Sequence, residues 1–496
     1  VRRAGGGRRV TSGRVDRWLA GWRFPLALAL LLAALIAWKP VSLSGDRLEY
    51  TLDTLAIATH GTPDITLDDI ARARQLAPSL AGGYELLETD MLANRPKVFP
   101  AFIRGANGKV YPIHFFGYPM MAALPFAMLQ RAGLPPFKAF QVVNLAFVFV
   151  LGLALRHFFG SGARALAGVT LFMLCGGWLY WTWSSPECVG AAALLSGLLL
   201  FCSGAPVAGA LLAGLAAQQN PTIVFFFVFA PLMAVAAGSR LTRRHFLGLA
   251  AGIAVAAIPP LFNLVQFGAL NPIAQLFSDS RLIGIVRLQS FYFDLNQGMI
   301  LGIPAVLAAL LFSLRQRAAA AVAALCLLFT LALALPALAV LNWNSAAAGI
   351  MRYAFWAAMP VLFAFLLLLR QLGRWPLPMA AAVVLVQAGA MAHASSYEYI
   401  EFSPLARWVL DHAAASYHPE PEIFAERAGH NDNYIEPEQV YMLRDAAGRP
   451  LKALLNTGNP NAGQQLCGPG MNLAGSTIVP SERGWAYVEA PLPCVR

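Results

Sequence analysis

The chain has 496 residues, of which 58% are hydrophobic and only 12% charged, with a formal net charge of +11. Soluble domains carry roughly a quarter charged residues, and a larger core cannot account for the deficit, because a large soluble protein still needs a solvated surface. The apolar residues instead fall in repeated runs of about 17 to 25, each long enough for ~30 Å of hydrocarbon, which places the chain among polytopic α-helical membrane proteins.

The positive charge is concentrated in "VRRAGGGRRVTSGRVDRW" at the start and in turns such as "SRLTRRHF" and "RQR". Basic turns between apolar spans mark cytoplasmic loops, so the charge argues for membrane orientation and not for nucleic-acid binding. Residues 1–23 read as a basic cytoplasmic N-terminus. The run from Phe24 to Trp38 has no small-residue cleavage site after it and reads as an uncleaved first span.

Predicted spans follow at 24–39, 139–156, 164–182, 187–203, 205–218, 221–238, 246–266, 299–314, 318–341, 354–370 and 376–393. The apolar run from His114 to Leu129 is ambiguous, and charge parity decides it. If it does not cross, Arg156, Arg164, Arg240, Arg243, Arg244, Arg315, Arg317, Arg370 and Arg374 all face the cytoplasm. If it crosses, every one of them moves outside. We therefore expect eleven spans within 24–393, with His114–Leu129 lying against the outer face. A large periplasmic loop, 40–138, then shares that side with a C-terminal domain, 394–496. The short span 205–218 is the weakest of the series.

The C-terminal segment is a different material. "YHPEPEIFAERAGHNDNYIEPEQVYMLRD" is polar, and "STIVPSERGWAYVEAPL" carries short β-branched and aromatic runs broken by Pro and Gly, which predicts a small mixed α/β domain. Cys175, Cys188, Cys202 and Cys326 lie in or beside spans without zinc-type spacing. Cys467 and Cys494 fall in the tail and are candidates for a disulfide on an oxidising side of the membrane.

Polar residues gather at the predicted outer ends of spans, while span centres are almost free of charge. In "SGDRLEYTLDTLAIATHGTPDI" a helix beginning at Asp46 puts Asp46, Glu49, Tyr50 and Asp53 on one face by the i, i+3, i+4, i+7 rule. Such a face is either solvated, pairing with Arg47 or Arg72, or a place where a half-sheltered carboxylate takes a proton from a hydroxyl. Arg352 in "MRY" suits a phosphate or an interfacial anchor. His114 suits a phosphate, a sugar or a structural hydrogen bond. Arg281 and Arg287 are further phosphate candidates, or surface charges. Glu187 after Pro186 is a helix-capping acid or a substrate contact. Asp294, Asn296 and Gln297 in "FDLNQG" suit sugar hydroxyls or a turn.

The acidic motif after the first span, the long outer loop and about eleven spans resemble the GT-C superfamily of membrane glycosyltransferases. "GDRLEYTLDTLAIATHGTPDI", "YPIHFFGYP", "FDLNQG" and "MRYAFW" look like the group around protein O-mannosyltransferases and the lipid A aminoarabinose transferase. The resemblance covers roughly 40–370. It implies inverting transfer of a sugar from a polyprenyl-phosphate donor to a hydroxyl of a cell-envelope glycan, lipid or protein, with an acid of the first outer loop as base. By position Asp46 is the first choice for the base and Glu49 a second acid. Arg352, His114, Arg281 and Arg287 become candidates for the donor phosphate, and Tyr50, His60, Glu187, Asp294, Asn296, Gln297 and Tyr353 for substrate contacts. The chain departs from the group in having Asp-Arg-Leu-Glu where relatives have two adjacent acids, so the identity of the base stays open. The Pro-Pro element of those relatives is replaced by "IHFFGYP". No metal motif stands out, although Asp46 with Glu49 offers oxygen ligands for a divalent cation. The implied location is a bacterial inner membrane. The alternative readings are a transporter or flippase for a lipid-linked sugar and a non-catalytic assembly protein.

Overall fold

The computed structural model describes residues 14–496 apart from 96, 99–100, 314–316, 345–348, 373–376, 470, 474–477, 493 and 496. Residues 1–13, Arg315 and Arg374, which entered the parity argument, lie outside the described residues. Most of the chain is helical, and the strands gather in a small C-terminal sheet and a shorter one near residue 100.

Among the described residues five helical runs are long and apolar enough to cross a membrane: Pro136–Phe159, Gly162–Tyr180, Arg243–Phe267, Ala320–Ala337 and Arg352–Leu372. Shorter apolar helices accompany them at Arg23–Trp38, Glu187–Phe201, Pro206–Ala217, Pro221–Ala236 and Pro378–Ala394. Glycine and proline set these lengths. The Glu187–Phe201 helix turns back through Gly204, whose φ of +103° suits glycine, and Pro206 opens the next helix at its first position. That helix has 12 residues, about 18 Å at 1.5 Å per residue.

Glu187–Phe201 is apolar all round and almost wholly buried, as a helix at the centre of a bundle must be. Pro206–Ala217 packs against it and against Arg243–Ala256 through glycines. A Cβ on Gly214 would lie 2.4 Å from the Gly252 carbonyl oxygen, and one on Gly252 2.4 Å from the Ala210 carbonyl oxygen. Gly248 and Gly252 form the Gly-x-x-x-Gly spacing that lets membrane helices approach closely. Gly252→Val is expected to force the two backbones apart, at a cost of ~1–3 kcal/mol or more. Thermal unfolding in detergent should show a lower midpoint for it, while Gly389→Val, where nothing lies within 4 Å, should leave the midpoint nearly unchanged.

Two helix interruptions are repaired by one side chain. The Gly162–Tyr180 run passes through a wide turn at Met173–Gly177, where Gly176 has φ +116°, and a second break separates Gly302 from Pro304. Gln387, fully buried, donates to the carbonyls of Leu174 (3.2 Å) and Gly302 (2.8 Å) and accepts from the amide of Ala305 (3.0 Å). Backbone groups freed by a break inside an apolar bundle need such a partner.

Residues 40–138 build a second core on one end of the bundle. Arg47–His60 packs on Gly117–Arg131, with Tyr50, Leu52, Tyr84, Phe102, Tyr118 and Phe140 buried among them. Gly117–Arg131 has 15 residues, about 22 Å in length, short of ~30 Å of hydrocarbon. The C-terminal domain is a four-stranded antiparallel sheet in the order Tyr441–Arg444, Pro450–Asn456, Trp485–Glu489, Ile478–Pro480, backed by the helices Pro404–Ala413 and Pro421–Gly429. Cys467 and Cys494 form a disulfide, which ties the end of the Ala462–Cys467 helix to the closing strand pair.

Candidate functional site

The helix carrying Asp46 and the helix carrying Glu187 are strapped together at their starts. Ser42 and Ser184 exchange backbone hydrogen bonds with the opposite segment, Ser42 N to Thr182 O (2.8 Å) and Ser184 N to Ser42 O (3.0 Å). The Ser184 hydroxyl donates to Ser44 O at 3.1 Å and accepts from Ser44 N at 3.2 Å. Gly45 then turns the chain with φ +70°, and a Cβ there would lie 2.6 Å from Ser185 Oγ and 3.2 Å from Arg352 Nη1. Glycine is needed for both the turn and the close approach.

This turn delivers Asp46 to the N-terminus of Arg47–His60 without using its side chain as a cap. The carboxylate is about a quarter exposed, with Oδ2 3.6 Å from His114 Nε2 and 3.6 Å from Arg352 Nη1. Both contacts exceed a direct hydrogen bond, so the oxygens remain available to a ligand. Glu49, one turn on, is buried and committed: Oε1 lies 2.7 Å from His114 Nδ1, and Oε2 accepts the His114 backbone amide at 3.2 Å. Glu49 therefore fixes the imidazole, and the imidazole presents its other nitrogen to Asp46. Tyr50 packs its ring edge-on to His114 and to Tyr118.

A solvated acidic face does not form. Glu49 and Asp53 are 3% and 1% exposed, while Arg47 binds the Leu43 carbonyl and Arg72 the Thr59 hydroxyl. Burial works against the charge on Asp46, but His114 and Arg352 outweigh it and hold the carboxyl below its ordinary range. Burial prevails at Glu49 and raises it, against the pull of His114. His114 is opposed by burial yet lifted to about 9 by Asp46 and Glu49. Asp53, one turn beyond Glu49, is pushed well up, first by burial and then by the Glu49 charge.

The imidazolium has a pH signature. Its folded pKa lies above the unfolded value of ~6.5, so its stabilising share is complete below pH 6.5 and disappears as pH rises through about 9. Wild-type melting temperature is expected to fall across that window, and His114→Gln should flatten the fall. Differential scanning fluorimetry at closely spaced pH values would check it. An equally steep fall in His114→Gln would place the titrating group elsewhere.

Asp46, Glu49, Tyr50, His114, Glu187, Arg352 and Tyr353 line one cavity of about 550 Å³. Arg352 is nearly buried, with Nε 3.8 Å from Glu187 Oε1 and Nη2 donating to the Tyr353 hydroxyl at 3.3 Å. One flank of the cavity is apolar, formed by Ile273, Phe277, Pro336, Val340 and Leu341. Donor atoms of Asp46, Glu49 and His114 lie within 4.8 Å of one another, an oxygen and nitrogen set that could ligate a divalent ion. The fixed charge of Arg352 opposes a dication there, and the Glu49–His114 hydrogen bond already uses one nitrogen.

The other predicted site residues lie elsewhere. His60 binds Asp69 (3.1 Å) and Thr62 (2.9 Å) next to the capping box of the Leu67–Leu76 helix. Arg281 is exposed and forks onto Asp279. Arg287 is fully buried and spent: it donates to Glu420 (3.3 Å), to Glu422, and to the carbonyls of Leu338 (2.7 Å) and Val340 (3.1 Å). It holds the C-terminal domain, uses four of its five N–H groups in these contacts, and does not line the cavity. Asp294, Asn296 and Gln297 also bind that domain and not the cavity. Asp294 accepts from the Tyr417 hydroxyl (2.6 Å), Asn296 accepts from the Ser403 amide (2.9 Å), and Gln297 accepts from Arg427 (2.9 Å). Through its own carbonyl Gln297 holds the Met351 amide at 2.9 Å, so this loop positions the residue before Arg352.

Three cavity residues come from the C-terminal domain and its linker: Tyr399, Asp432 and Tyr434. Asn342 donates to Asp432 at 3.3 Å across the cavity rim. The polar run "HNDNY" was the signal in the sequence, but nothing local shows that it folds back over residues 44–50 and 113–115. Compared with models of protein families, with curated proteins and with solved structures, the chain matches none of them.

Proposed function

We propose that this chain is an inverting membrane glycosyltransferase of the GT-C kind, moving a sugar from a polyprenyl-phosphate donor to a hydroxyl of a cell-envelope acceptor. It has eleven spans in a bacterial inner membrane, with a cytoplasmic N-terminus and with the cavity and C-terminal domain in the periplasm. One observation carries the reading: a part-exposed carboxylate, Asp46, stands 3.6 Å from a nearly buried guanidinium, Arg352, in a cavity with one apolar flank. Basic turns at the opposite end of the spans support the orientation, and so does a disulfide in the tail, since disulfides persist in oxidising compartments.

In this reading Asp46 takes the proton of the acceptor hydroxyl. The hydroxyl oxygen forms a bond to the anomeric carbon from the face opposite the phosphate, and the bond from that carbon to the phosphate oxygen breaks. Polyprenyl phosphate leaves with the electron pair, its charge met by Arg352 and the His114 imidazolium. Glu49 touches neither substrate. It is a positioning residue that holds His114. The isoprenoid lies along the apolar flank.

Mass spectrometry of a deletion strain tests the proposal. One envelope sugar should disappear while one polyprenyl-phosphate sugar accumulates. An unchanged envelope and lipid pool would refute it. Movement of intact donor across vesicle membranes by the purified chain, without a glycosylated product, would establish the transport reading instead.

A further inference from the structure

The wall of the cavity beside Arg352 carries buried polar atoms that the fold leaves without partners. They are Gln219 Oε1 and Nε2, Asn220 Nδ2, Thr222 Oγ1 and Trp356 Nε1, and all four residues line the cavity. A buried polar group left unpaired costs ~1–3 kcal/mol, and native proteins keep few of them. Four such residues lining one cavity call for a common cause, and a hydrogen-bonding ligand supplies it.

The segment is built to stay there. Gln218 donates to the Val255 carbonyl at 2.8 Å, which anchors the end of the Pro206–Ala217 helix, and Pro221 opens the next helix directly after Asn220. Gln219 is 8% exposed and Trp356 2%. The Asn220 amide sits over Gly190, where a Cβ would lie 2.5 Å from Nδ2. Gly190 is on the same helix as Glu187, so this wall and the Arg352–Glu187 pair share one rigid element.

We infer that Gln219, Asn220, Thr222 and Trp356 form the subsite for the sugar of the lipid-linked donor, and that this sugar is a neutral polyol. The inference rests on the glycosyltransferase reading and deepens it. Amides, a hydroxyl and an indole N–H supply both donors and acceptors, as a row of sugar hydroxyls requires. An amino sugar would need an uncommitted carboxylate, but Glu187, the acid on this wall, already faces Arg352. A uronic acid would need a second cation, and among the described residues of this wall Arg352 is the one cation.

The test is equilibrium binding to the full chain in nanodiscs, using undecaprenyl phosphate, its glucosyl ester and its 2-amino-2-deoxyglucosyl ester. The wild type should bind the glucosyl ester at least about tenfold tighter than bare undecaprenyl phosphate, the equivalent of one or two net hydrogen bonds. Gln219→Ala and Trp356→Phe should each remove most of that preference while leaving the affinity for undecaprenyl phosphate in place. Gly190→Ala should do the same by displacing Asn220, without altering a cavity residue, and its melting temperature checks that it folds. Retention of the full preference in all three variants overturns the subsite. A wild type that binds bare and glucosyl lipid equally also overturns the subsite but leaves the lipid-phosphate reading standing. Tighter binding of the amino-sugar ester overturns the neutral class. A wild type that binds none of the three overturns the proposed function and the subsite with it.

Discussion

Asp46→Asn in the purified chain is expected to lower sugar transfer by ~10²–10⁴, the range that a general base contributes, while the protein still folds and binds donor. The geometry separates chemistry from stability here. Asp46 begins the Arg47–His60 helix, yet its side chain caps no backbone amide. Its ionic neighbours stand at 3.6 Å. Asparagine keeps the shape and loses the charge, so the cost to folding should stay near the ~0.3–1 kcal/mol of a charge at a helix N-terminus.

Glu49→Gln is the informative companion. Glu49 reaches the reaction only through His114, so its loss should move the pH profile of transfer without removing transfer. With one of its two acidic neighbours gone, His114 discharges at lower pH, and the alkaline limb of the profile shifts down. If Glu49→Gln were dead at every pH while Asp46→Asn kept full activity, the roles of the two acids would be reversed.

The parts of this site that were legible in the sequence share one property: their geometry is local. Helical spacing alone brings Asp46, Glu49 and Tyr50 to one face, and segments at the starts of apolar helices bring His114, Glu187 and Arg352 to the same cavity. Arg287 and the triad Asp294, Asn296 and Gln297 obey the same sequence rules, yet they serve the docking of Glu420, Tyr417, Ser403 and Arg427, more than a hundred positions away. Nothing in a polar loop between apolar helices tells whether it faces a cavity or a folded neighbour.

Gln387 and Gln219 were illegible for a related reason. Gln387 is a single amide in an apolar run and Gln219 is the middle of the amide run Gln218–Asn220 between two helices, and the meaning of each depends on what stands opposite. Gln387 faces two broken helices and is satisfied by them. Gln219 faces a cavity and is not. The helices followed the apolar runs closely, including the break at Gly204 and Pro206, but interruptions inside runs did not show, because the turn at Gly176 and the break between Gly302 and Pro304 fall within runs that hydropathy alone would continue.

Arg287→Met is expected to release the C-terminal domain. Arg287 and Glu420 are both fully buried, and Glu422 nearly so. Removing one partner of a buried pair costs ~3–5 kcal/mol, because the other charge stays buried. Arg483, 2.6 Å from Glu420, offsets part of this, so docking should weaken without the bundle unfolding. Limited proteolysis in the 395–403 linker should then become fast. Transfer should fall by more than about tenfold, the equivalent of 1.4 kcal/mol, because Tyr399, Asp432 and Tyr434 leave the cavity wall with the domain. Were Arg287 a phosphate ligand, the variant would instead show a raised KM for donor with the linker still protected. The two outcomes differ in the protease lane before any kinetics are measured. A protected linker with normal transfer would show that neither role is needed, and that the cavity does not depend on the domain folded over it.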